Sequence, residues 1–148
     1  MSYQERRALV SVISTIVITV LYSIYMLQRY PDAVDYSPEI FHFWGSFFLI
    51  LIPVTIAAKI AITILFSIFS TVTTQEGEPS VTDERDTLIE LKSNRNGLYV
   101  FSIGFLLAMA TLVISQPPAV MFIGLISAGV LSEIVSEISQ FYFYRRGY

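Results

Sequence analysis

Three ionisable residues lie inside otherwise apolar stretches of this 148-residue chain: Lys59, Glu133 and Glu137. Charged side chains are costly in hydrocarbon, so they normally face a bundle interior, a water-filled cavity or one another. Glu133 and Glu137 are four residues apart and therefore share one face of a helix. Two interpretations stay open: a site for a proton or cation, and a structural ion pair that fixes how two helices pack.

The elements that must position these charges are four long apolar segments, at about 9–27, 40–72, 98–115 and 120–142. A helix needs about 20 apolar residues to cross a hydrocarbon core of about 30 Å. The chain is 54% hydrophobic and only 14% charged, whereas soluble domains carry about 25% charged residues. We therefore predict an all-α membrane protein whose single domain, residues 1–148, has four transmembrane helices.

The basic residues predict the orientation. With four spans both termini share one side, and seven of the nine Lys and Arg residues lie on that side: Arg6, Arg7, Arg85, Lys92, Arg95, Arg145 and Arg146. Because positive loops stay cytoplasmic, we expect a multi-pass protein of the cell membrane with both termini and the loop at 73–97 in the cytoplasm. Tyr30, Tyr36 and Trp44 are then expected as anchors at the outer interface.

Small and hydroxyl-bearing residues recur every three or four positions in all four spans, as in Thr15 and Thr19, Gly104 and Ala108, or Gly124 and Ala128. Such stripes let membrane helices approach closely. We therefore expect a compact bundle, in which the two prolines after Gln116 make the last two spans an antiparallel hairpin.

The cytoplasmic loop predicts an amphipathic helix between spans two and three. Ser80 and Asp83 resemble a capping box, and Asp83, Asp86 and Glu90 share one acidic face. Such a helix would lie on the membrane surface, and it can also run directly into span three. The acidic face is either a docking surface for a basic cytoplasmic protein or an ordinary helix start, where acids suit the helix dipole.

The loop sequence TDERDTLIELK at 82–92 and the tail FYFYRRG at 141–147 resemble a family of small prokaryotic four-helix membrane proteins of unknown function. Members share a DERD-type central loop and a Tyr-Arg-Arg-Gly-like tail, and they are often encoded beside a small helix-turn-helix regulator. The resemblance implies a membrane partner for a transcription factor and supplies no catalytic residues.

Motifs for chemistry are missing from the chain. It has no cysteine, one histidine (His42), no phosphate-binding glycine loop and no nucleophile–base pair, so we expect no enzyme, cofactor, metal site or direct nucleic-acid binding. The favoured function is an interaction or regulatory protein that holds a cytoplasmic partner, such as a helix-turn-helix regulator, at the membrane. The alternative is a small proton- or cation-linked transporter or channel that uses Lys59, Glu133 and Glu137, as a homo-oligomer because four spans enclose little space.

Overall fold

The computed structural model describes residues 3–74 and 84–146. These residues form four α-helices and contain no strand: α1 Tyr3–Leu27, α2 Pro38–Thr74, α3 Glu84–Val113 and α4 Pro118–Arg146. All four helices are long and apolar enough to cross a membrane. The predicted all-α fold with four candidate spans is confirmed, and length and composition indicate a multi-pass membrane protein.

The helices are arranged in the spatial order α2, α1, α4, α3. The α3 helix packs along α4, while α1 packs against both α4 and α2. The α2 helix approaches α4 at few points, and over the described residues no Cα atom of α2 comes within 8 Å of α3. Helix packing therefore closes three sides of the bundle and leaves the side between α2 and α3 without a helix–helix contact.

The α3–α4 hairpin is held together by the predicted small residues. A Cβ atom added at Gly104 would lie 2.5 Å from the Cβ atom of Ala128, and one at Gly124 would lie 3.2 Å from that of Ala108. Ala108 and Ala128 are themselves buried. The two backbones approach closely because no larger side chain separates them, which is the form of packing available where apolar burial gives no driving force.

An aromatic cluster joins α1, α2 and α4 at the end of the bundle opposite the chain termini. Trp44 and Phe47 are each 1% exposed, and the Trp44 ring stacks on Phe122 with centroids 5.4 Å apart and planes 11° apart. We call this region the aromatic end. Trp44 is therefore part of the protein core, and its predicted role as an interfacial anchor is wrong.

The predicted amphipathic helix between spans two and three is not shown as a separate element. Residues 84–96 are the first turns of α3, which continues without a break into the apolar span, as the sequence also allowed. Ile89, Ser93 and Gly97 are buried at a spacing of four residues, and they continue the stripe that faces α4. That stripe packs residues 84–96 against α4. These residues are therefore part of the bundle and do not form a helix of their own on the membrane surface. Asp83 lies outside the described residues.

Candidate functional site

The beginnings of α1 and α3 and the ends of α2 and α4 lie together at one end of the bundle. The Tyr3 ring of α1 is 5.3 Å from the Phe66 ring of α2, and Asp86 of α3 and Tyr144 of α4 line the same cavity. This end includes the seven basic residues that the sequence places on one side, and we call it the basic end.

Lys59 forms ion pairs with both glutamates of α4. Its Nζ atom contacts Glu133 Oε1 directly and lies 3.5 Å from Glu137 Oε1. Ser11 of α1 donates a hydrogen bond of 2.5 Å to the same oxygen of Glu137. The four residues form one cluster, the polar cluster, which connects α1, α2 and α4. The spacing of four between the glutamates brings both carboxylates to one amine.

The three charges of the polar cluster differ in exposure. The side chains of Lys59 and Glu133 are 28% and 39% exposed, whereas that of Glu137 is 18% exposed. Since α2 approaches α4 at few other points, the two ion pairs of Lys59 are a principal link between these helices. Glu137 is the most enclosed charge, and it has partners on two other helices.

A polar cavity of about 390 Å³ occupies the basic end and is lined by all four helices. Lys59 lies 15 residues before the end of α2, or about 22 Å of helix, so the cavity reaches deep into the apolar part of the bundle. Other lining residues come from each helix in turn: Arg7, Ser11 and Ser14; Ile62 and Phe66; Asp86, Glu90 and Asn94; and Ser136, Glu137, Gln140 and Tyr144.

The cavity brings together two groups of residues that lie far apart in the sequence: the intramembrane charges and the acids at the beginning of α3. Lys59 and Glu137 of the intramembrane group and Asp86 and Glu90 of the acidic face all line it. Glu133 is the remaining ion-pair partner of Lys59. Asp86 and Glu90 therefore turn towards the other helices of the basic end, because Ile89, which lies between them, and Ser93, which follows them, are buried.

Several polar residues of the site were not among the sequence-based candidates. Ser11 was visible only as a member of a small-residue stripe, yet it hydrogen bonds to Glu137. Asn94 accepts a hydrogen bond of 3.0 Å from Ser136, which fixes α3 beside α4 at the cavity wall. Tyr144 lines the cavity near Asp86, and burial, followed by the charge of Asp86, raises the pKa of its hydroxyl to about 12. The signal that could have found them is their position one or two helical turns from a charged residue.

His42 is exposed near the beginning of α2, at the aromatic end and away from the cavity. In the described part of the chain, no three His, Cys, Asp or Glu residues lie close enough to hold a metal ion together. No protein-family model, curated protein or solved structure matches this chain, so the family resemblance drawn from its loop and tail stays a prediction.

Proposed function

We propose that this chain is a small proton- or cation-linked membrane transporter or channel whose access path is the polar cavity. The observation that carries the proposal is the continuity of that cavity from Asp86 and Glu90 at the basic end to Lys59 and Glu137 in the apolar part of the bundle. Ionisable residues that face a cavity inside a membrane commonly mark ion pathways and proton relays.

The polar cluster supplies a way to couple binding to movement. A proton on Glu137, or a cation beside it, weakens the attraction between that carboxylate and Lys59, because the pair depends on both charges. Lys59 then pairs with Glu133 alone, and one of the few links between α2 and α4 is lost. At the aromatic end Trp44 stacks on Phe122. In this proposal the stack is the closed gate of the path, and passage requires α2 to shift relative to α4.

The orientation belongs to the same proposal. Seven basic residues at the basic end and only Arg29 beyond the aromatic end favour a cell-membrane protein with the basic end in the cytoplasm. The cavity then takes its proton or cation from the cytoplasm. We also propose a homo-oligomer, since a bundle of four helices encloses only a small path.

Flux through purified protein in liposomes tests this function. The liposomes contain a pH-sensitive or cation-sensitive dye, and a membrane potential is imposed. We expect the wild-type protein to conduct, and Glu137→Gln to fall to the level of protein-free liposomes. Glu39→Gln is the matched control, because Glu39 is exposed at the beginning of α2 and outside the cavity. Equal flux in wild-type and Glu137→Gln liposomes would remove the proposal.

A second candidate function rests on Glu90, which is exposed where α3 begins. There it can bind a basic cytoplasmic protein, such as a small helix-turn-helix regulator, with no enzymatic step. This function predicts that a partner captured by the tagged protein is lost when Asp83, Asp86 and Glu90 are all changed to Ala. If this triple variant loses the partner but keeps the flux, the result favours docking. If it loses the flux but keeps the partner, the result favours transport.

A further inference from the structure

We infer that the ligand of the polar cavity is an amphiphilic organic cation, with its positive head among the carboxylates and its apolar part leaving between α2 and α3. This inference rests on the proposed function and specifies its substrate class. Three properties of the cavity carry it: its charge, its size and wall chemistry, and the side of the bundle that helix packing leaves unclosed.

The charge of the cavity favours a cation. Three acidic residues line the cavity, Asp86, Glu90 and Glu137, and a fourth, Glu133, pairs with Lys59. The basic residues of the lining are Arg7 and Lys59. Lys59 is already paired with both glutamates of α4. The site therefore has a surplus of two negative charges, and a ligand that adds positive charge reduces the repulsion between them.

The size and the walls of the cavity favour an organic cation over a bare ion. Its volume of about 390 Å³ falls within the range of about 300–1,000 Å³ that is typical of organic-ligand sites. No metal-binding group of three acidic or His residues was found among the described residues. Phe66 and Tyr144 add aromatic rings to the lining, and aromatic faces attract alkylammonium groups.

The unclosed side of the bundle favours a ligand with an apolar part. The α2 wall of the cavity includes Ile62 and Phe66, and the α3 wall includes Asn94. Over the described residues, no Cα atom of one helix lies within 8 Å of the other. A short alkyl chain that lies between these walls contacts the apolar side chains of α2 and then reaches the lipid-facing surface of the bundle. The alkyl chain therefore stays in an apolar environment along its length.

Binding to the full chain in phosphatidylcholine nanodiscs tests the inference. The probes are octyltrimethylammonium, tetramethylammonium and octanesulfonate, each compared with nanodiscs that contain no protein. We expect saturable binding of octyltrimethylammonium, weaker binding of tetramethylammonium and none of octanesulfonate. The Asp86→Asn, Glu90→Gln double variant should lose saturable binding, whereas Glu39→Gln should keep it.

A second measurement does not depend on the folding of the acid variants. Ser14 lines the cavity, and its hydroxyl bonds only to backbone oxygens of its own helix. The chain has no native cysteine, so Ser14→Cys gives a single reactive thiol. Octyltrimethylammonium should slow its reaction with a hydrophilic thiol reagent, and octanesulfonate should not.

The outcomes separate this inference from the proposed function. Equal binding of tetramethylammonium and octyltrimethylammonium, or no protection of Ser14→Cys, overturns the amphiphilic cation. If Glu137-dependent flux persists in that case, the transport function stands without it. Saturable, carboxylate-dependent binding of octyltrimethylammonium without any flux supports the ligand class and removes the transport function.

Discussion

Replacing Lys59 with Met should destabilise the protein, because it leaves two carboxylates of α4 without their cation. Glu137 keeps the hydrogen bond from Ser11, whereas Glu133 has Lys59 as its one side-chain partner among residues 3–74 and 84–146. The glutamates share a helical face, so their charges also repel each other once the lysine is gone. The substitution further removes the ion pairs that link α2 to α4.

The expected loss is moderate. Removing one member of a buried ion pair costs about 3–5 kcal/mol in soluble interiors, but the side chains here are between 18% and 39% exposed. A cavity of about 390 Å³ also leaves room for water beside them. Measured polar contacts between membrane helices average about 0.6 kcal/mol and reach about 1.7 kcal/mol. We therefore expect a loss of about 1–2 kcal/mol, which corresponds to a fall of about 3–6 °C in the melting temperature in detergent.

A double-variant cycle decides whether the ion pair is the cause. Lys59→Met combined with Glu133→Gln should recover part of the loss, because the second substitution removes the stranded charge. Arg29→Met is the matched control, since Arg29 is an exposed cation that lies over the Tyr25 ring and its loss should change stability by about 0.5 kcal/mol or less. Additive losses for Lys59→Met and Glu133→Gln would refute the reasoning.

The glycines give two further predictions. Gly104→Ala should lower the melting temperature, because its Cβ atom would lie 2.5 Å from that of Ala128, and overpacking of about 1–3 kcal/mol exceeds the gain of about 1 kcal/mol in helix propensity. Gly129→Ala should raise it, since the added methyl group meets no atom within 4 Å apart from the adjoining residues and backbone of its own helix. Equal effects of the two substitutions would contradict the close approach of α3 and α4.

The sequence predicted the helices well because membrane spans follow from length and composition. All four apolar segments became helices, and the small residues of the last two spans form their contact. Which residues of α2 pack against the other helices could not be predicted in this way. Thr55, part of its polar stripe, donates to its own backbone at Ile52, and α2 packs through Trp44 and Phe47. Periodicity shows that a helix has faces, but it does not show which neighbour each face meets.

The candidate site was predicted in parts. An ion pair among Lys59, Glu133 and Glu137 was one of the two interpretations that the sequence left open, and Lys59 forms ion pairs with both glutamates. That Asp86 and Glu90 line the same cavity could not be predicted, because it depends on the rotation of α3 about its axis. Three buried positions on α3 fix that rotation, Ile89, Ser93 and Gly97. None of them carries a charge that would have drawn attention to the cavity.

The most direct test of this account is whether water reaches the polar cavity from the basic end, which we propose to lie in the cytoplasm. A hydrophilic, membrane-impermeant thiol reagent should label Ser14→Cys in inside-out vesicles but not in intact cells. Ser102→Cys is the control, because Ser102 is exposed on α3, hydrogen bonds to its own helix at Leu98 and lies outside the cavity lining; it should stay unlabelled in both preparations. Ser14→Cys that resists the reagent in inside-out vesicles would contradict a water-accessible cavity, and labelling in intact cells would reverse the orientation.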